Sequence, residues 1–144
     1  MNIDWFFELQ VALKLIISFT IGAVIGWERE RTGHEAGIRT FGLISLGSCA
    51  FGLVSICIGS SDHGRIAAQV VSGIGFICAG VIFRENGSIK GLTTAATLWC
   101  TAAVGLAVAL DMYMISLLSA VIIFIFLSLR RTRLWSKITG KDPE

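Results

Sequence analysis

Three stretches of the chain gather side chains that can do chemistry. The first is Gly22-Ala-Val-Ile-Gly-Trp-Glu-Arg-Glu-Arg-Thr-Gly-His-Glu-Ala-Gly-Ile-Arg-Thr40, where Glu28, Glu30 and Glu35 alternate with Arg29, Arg31 and Arg39. Charges interleaved this closely read as a solvated, self-neutralising loop, with Arg31 reaching Glu28 or Glu35. The second runs from Arg65 to Ile82, with Gln69 and Ser72 one and two turns beyond Arg65, and Asp62 and His63 beside it. It reads as an anchor with interhelical hydrogen bonds, or as the polar entrance to a cation or proton path. The third runs from Lys90 to Gly105 and carries Thr93, Thr94, Thr97 and Thr101, with Trp99 and Cys100 among them. Hydroxyls at this spacing bond i−4 carbonyls or cross to neighbouring helices. Lys14 stands alone inside an apolar run. It either snorkels outward or pairs with Asp111 or Asp62, and a charge in such a place is by default a functional candidate.

None of these stretches spells out catalysis. There is no phosphate loop and no H-E-x-x-H. His34 and His63 are expected on opposite sides of a membrane, so they cannot cooperate. Cys49, Cys57, Cys78 and Cys100 form no C-x-x-C pair, which argues against a zinc site or a redox motif. A magnesium site needs fixed octahedral oxygen ligands, and only Asp4, Glu8, Asp62 and Asp111 offer them on the side expected to be outer. The expectation is a non-enzyme with no cofactor.

The elements that hold these residues follow from the charge map. Of 144 residues, 54% are hydrophobic and 15% charged, and the mean hydropathy is +0.77. Disorder needs the opposite balance, and soluble domains carry roughly 25% charged residues. The charges separate five apolar segments at about 8–27, 41–59, 66–83, 91–110 and 112–129. Each approaches the roughly 20 residues a helix needs to cross a bilayer. Strands of a barrel would alternate over roughly 10 residues, and these segments do not. The expected fold is an all-α membrane protein of five transmembrane helices. Asp4 and Glu8 before the first run, and charges after it, fit a retained helix rather than a cleaved signal. Ten of the 12 basic residues fall on one side. By the positive-inside rule the N-terminus is out and the C-terminus in. Residues 130–144 read as a basic, interfacial cytoplasmic tail, with Leu134, Trp135 and Ile138 among the charges. No nucleic-acid-binding motif is present.

Small residues recur at i+4 spacing: Gly22 and Gly26, Ser48 and Gly52, Gly75 and Ala79, and Thr93, Thr97, Thr101, Gly105 and Ala109. Such stripes let helices approach closely in lipid. Helices one to four are expected to form the packed body, either as one bundle or as a homo-oligomer. The fifth, with Ile122 to Leu127 uninterrupted, is expected to face lipid. Pro143 is the only proline, so only Gly73-Ile74-Gly75 could break a helix in the transporter manner.

Together the three stretches resemble the bacterial MgtC/SapB membrane-protein family. The resemblance rests on Gly22-Ala-Val-Ile-Gly26 with Glu28-Arg29-Glu30 and Gly37-Ile-Arg-Thr40, on Arg65-Ile-Ala-Ala-Gln69 with Ser72-Gly-Ile-Gly-Phe76 and Ala79-Gly-Val-Ile82, and on Gly91-Leu-Thr-Thr-Ala-Ala-Thr-Leu-Trp99. It covers residues 8–129. It implies a five-helix protein of the bacterial inner membrane, linked to growth in low magnesium and to survival inside host cells. It also implies a regulator acting on another membrane complex, such as the membrane sector of ATP synthase. Direct transport of magnesium or protons is the alternative. It points to Glu28, Arg29, Arg39, Arg65, Gly73 and Gly75 as functional or fold-essential. Longer members add a soluble domain after the last helix. This sequence ends at Glu144, so the regulatory role is expected to carry over less fully than the fold.

Overall fold

The computed structural model describes residues 4–58, 64–85 and 87–129. Five helices follow one another: α1 (Trp5–Arg31), α2 (Ile38–Cys57), α3 (Gly64–Val81), α4 (Leu92–Ala109) and α5 (Tyr113–Leu129). Between α3 and α4 lies a small antiparallel hairpin of β1 (Phe83–Glu85) and β2 (Ser88–Lys90). α1 to α4 are each long and apolar enough to cross a membrane. α5 has 17 residues, about 26 Å at the helical rise. The chain is an all-α membrane bundle, as its charge map implies.

Local signals set the helix ends. Asp4 caps α1 by accepting from the backbone N–H groups of Phe6 and Phe7, two of the donors a helix start leaves unsatisfied. Thr32 closes its far end, its hydroxyl donating to the carbonyls of Glu28 and Arg29. Between α4 and α5 the chain reverses through Asp111, which takes φ 59. Asp is one of the few side chains that tolerates this left-handed region.

α4 is the central element: most of its residues are buried, and it packs against each of the other helices. α2 packs against both α1 and α4. The stripe Gly22–Gly26 of α1 meets backbone of the loop before α2 and of its first turn. A Cβ on Gly26 would sit 2.6 Å from the Gly37 carbonyl oxygen, and one on Gly22 2.5 Å from that of Phe41. Gly52 of α2 faces Ala109 of α4, and Gly105 of α4 abuts the backbone of Ser45. Ser18 completes the contact: its hydroxyl donates to the Ser45 carbonyl at 2.8 Å and lies 2.9 Å from the Ser45 hydroxyl.

Four expectations need correction. α1 continues to Arg31, beyond residue 27, because hydropathy marks the edge of the apolar layer and not the end of the helix. α2 likewise starts at Ile38, not 41. The third span ends at Val81, and Phe83 belongs to the hairpin. In the sequence the two strands are separated by Asn86-Gly87, the strongest short hairpin signal a sequence carries, and Gly87 takes φ 79. Finally, α3 is not part of the tightly packed body. Only Ile74 and Cys78 are buried on it, Ala79 is exposed, and Cβ atoms on Gly73, Gly75 and Gly80 would meet nothing within 4 Å. α3 also runs unbroken through Gly73-Ile74-Gly75. α5 is mostly exposed, with only Ser116 and Ala120 buried. The tail 130–144, with Asp62 and His63, lies outside the described residues.

Candidate functional site

The charged stretch after Gly26 is a helix end folded against two neighbours rather than a loop. Glu28 and Arg29 are 7% and 3% exposed. Arg29 reaches α4, where its Nη2 donates to Thr94 Oγ1 at 2.5 Å. A guanidinium taken this far from water needs partners, and the Thr94 hydroxyl supplies one from 65 residues away. Glu30 performs a different task. Its Oε2 accepts the Ile38 backbone N–H at 3.0 Å, so a carboxylate of α1 caps α2, whose own N-cap residue Gly37 has no side chain to do so. The negative charge also suits the positive end of the α2 dipole. A Cβ at Gly37 would collide with that carboxylate. Arg31 lies over the Trp27 ring, 5.6 Å from its centroid, rather than on Glu35. Arg39 is exposed and Thr40 half-buried.

The hairpin stands at this same end. Glu85 and Lys90 are ion-paired across it, and the Lys90 hydrogen bond holds the Glu85 carboxyl below its ordinary value. Gly91 joins it to α4 at φ 82, where a Cβ would strike the Val81 carbonyl. The threonines of α4 divide their labour. Thr97 donates to the Thr93 carbonyl and Thr101 to that of Thr97, while Thr94 receives Arg29. Trp99 points outward and Cys100 is half-buried.

Lys14 sits at the opposite end. Its Nζ donates to Asp111 Oδ2 at 2.8 Å and to the Ala109 carbonyl at 3.2 Å. It therefore pairs with Asp111, one of its two expected partners, and covers a carbonyl at the C-terminus of α4, where a cation is favoured. The Tyr113 hydroxyl donates to Asp111 Oδ1 at 2.9 Å. These two bonds, Lys14 first, hold the Asp111 carboxyl below its ordinary value.

Arg65 and Gln69 are exposed on α3. Gln69 lines a groove of about 730 Å3 between α2 and α3, together with Gly47, Phe51, Gly73 and Ile77. The structure thus brings together Arg29 with Thr94 and Glu30 with Gly37–Ile38. It leaves Arg39, Arg65, Trp99 and Cys100 apart from them. Sequence reasoning missed the Ser18–Ser45 clasp and the Tyr113–Asp111 bond. Ser18 lies four residues before Gly22, so the small-residue stripe already contained the signal.

This arrangement defines a class: a helical integral membrane protein, glycine-packed around one central helix, with a buried arginine joining its first and fourth helices. Residues 15–133 match the model of the MgtC family, and the chain belongs to that family. It is 45% identical over 111 residues to Protein MgtC of Salmonella typhimurium, covering 77% of this chain and 48% of that one. It is 47% identical over 97 residues to Protein MgtC of Brucella abortus, covering 67% of this chain and 41% of that one. A Synechocystis protein is 48% identical over 94 residues, 65% of this chain and 40% of its own. The chain thus spans less than half the length of these relatives. No solved structure matches it.

Proposed function

We propose that this protein is a regulator of the bacterial inner membrane, linked to adaptation to low magnesium, that acts by binding another membrane complex such as ATP synthase. One observation carries the reading. Gly22 and Gly26 of α1, Gly42 and Gly52 of α2 and Gly105 of α4 are packed inside, whereas Gly47 of α2 and Gly73, Gly75 and Gly80 of α3 face open space. Gly47 and Gly73 line opposite walls of the α2–α3 groove. Small residues on both walls let a helix of a partner approach closely, and the Gln69 amide offers it a hydrogen bond. The groove therefore suits one transmembrane helix of that complex.

The transport alternative draws on groups that have other tasks here. Lys14 holds Asp111, and Thr97 and Thr101 bond their own helix. Gln69 lines a different cavity from Lys14. In the orientation supported by the basic residues, the Arg29 end faces the cytoplasm, and the proposed role is binding rather than catalysis.

Expression of the protein should lower proton-driven ATP synthesis in inverted membrane vesicles, and the synthase should co-purify with it. Gly73→Leu, which fills the groove from an exposed position, should abolish both effects while the protein still folds. Synthesis unchanged by the wild type sinks the regulatory reading. Proton or magnesium flux through the purified protein in liposomes would replace it with transport.

A further inference from the structure

The Lys14–Asp111 pair is flanked by cavities on both sides. One, of about 250 Å3, is lined by Gln10, Leu13, Lys14, Ile17, Asp111 and Tyr113. The other, of about 210 Å3, shares Gln10, Lys14 and Asp111 and extends toward Leu53 and Cys57 of α2. Gln10, Leu13, Lys14 and Ile17 stand at i, i+3, i+4 and i+7, which places them on one face of α1. That face changes character along its length, from an amide through an ammonium to exposed aliphatic side chains. Tyr113 closes the opposite wall from α5 and suits the headgroup level of a bilayer.

The pair has unused capacity. A lysine ammonium has three donors, and Lys14 gives them to two acceptors, Ala109 and Asp111. Its side chain is 15% exposed, whereas that of Asp111 is 63% exposed, so a second cation can still reach the carboxylate. The site therefore presents a hydrogen-bond donor to an anion and a carboxylate to an ammonium, side by side, above an apolar wall.

We infer that this corner binds a zwitterionic ethanolamine phospholipid. The phosphate accepts from Lys14 and Gln10, the primary ammonium donates to Asp111, and an acyl chain lies along Leu13 and Ile17. Counted at the roughly 30 Å3 of a water molecule per non-hydrogen atom, a phosphoethanolamine group of about eight such atoms needs at most about 240 Å3. The larger cavity holds it. Charge complementarity selects the headgroup. Phosphatidylglycerol leaves Asp111 facing an uncharged glycerol, and the quaternary ammonium of phosphatidylcholine has no N–H to donate.

Native mass spectrometry of the full-length protein, exchanged into mixed micelles with each lipid in turn, tests the assignment. Phosphatidylethanolamine should be retained about tenfold more tightly than phosphatidylcholine, the size of one charge-assisted hydrogen bond. Asp111→Asn should remove that preference, and Gln10→Leu should weaken retention of ethanolamine and choline lipids alike. Gln10 is exposed, so this second variant folds even where a change at the ion pair does not. Equal retention of the three lipids by the wild type overturns the inference. So does a preference for phosphatidylglycerol, or an ethanolamine preference that survives Asp111→Asn.

Discussion

Two side-chain pairs join distant parts of the chain, and their environments give them different weights. Arg29 and Thr94 meet in the buried interior between α1 and α4. Thr94→Val keeps the shape and removes the acceptor, so it should cost about 1.5–3 kcal/mol, the range for bonds to charged groups. Unfolding of the purified protein in mild detergent measures it. A double-mutant cycle with Arg29→Met should show coupling of about 1 kcal/mol or more, as expected of residues in direct contact. Lys14 and Asp111 meet where the carboxylate is largely exposed, so screening limits their worth to under about 1 kcal/mol. The sign of its pH dependence is nonetheless fixed. The folded carboxyl of Asp111 titrates below its ordinary value. Its contribution is therefore complete above about pH 4, the unfolded value, and is lost as pH falls through the folded one. The difference in melting temperature between wild type and Asp111→Asn should be largest at pH 6 and shrink toward pH 3. A difference that grows on acidification would reverse this assignment.

At the scale of elements, glycine has two opposite roles, which a sequence pattern alone does not separate. Gly26→Ala pushes a methyl group into backbone atoms of Gly37 and Ile38, which have no side-chain freedom to yield. Overpacking of this kind costs about 1–3 kcal/mol. Gly73→Ala meets open space and should stabilise α3 by about 0.5–1 kcal/mol, the helix preference of alanine over glycine. Thermal unfolding of the two variants should move in opposite directions. Spacing made Gly22–Gly26 and Gly75–Ala79 look alike, because i+4 periodicity reports that residues share a face and not what that face meets. The apolar segments were legible as helices because long charge-free runs have few other solutions. The ends were less so. Glu28 and Arg29 stop the hydropathy signal while the helix continues, and Arg29 is buried through its contact with Thr94 of α4, far away in sequence. The Glu30 cap on Ile38 was hidden for the same reason: its acceptor and donor sit on different helices. The hairpin was legible in Asn86-Gly87 but brief beside the spans.

For the whole molecule the open quantity is its direction in the membrane, and the fold supplies the reporter. The helices alternate so that Arg29, Arg31 and Arg39 share one end with Arg84 and Lys90, while Lys14, Arg65 and Asp111 belong to the other. By the positive-inside rule we propose that the first end faces the cytoplasm. Cys57, the last residue of α2, is exposed and lines the cavity beside Lys14 and Asp111 at the second end. Cys49 and Cys78 are buried, and Cys100 is half-buried within α4. A membrane-impermeant maleimide added to spheroplasts should therefore modify one thiol per chain, and Cys57→Ser should abolish the signal. Inside-out vesicles should stay unlabelled until they are permeabilised. Labelling only in inside-out vesicles would turn the molecule over, with its basic end outside. The buried arginine, the glycine seams and the α3 groove would all keep their geometry. Only the compartments that the Lys14 corner and the hairpin face would change places, and with them the side from which any ligand or partner arrives.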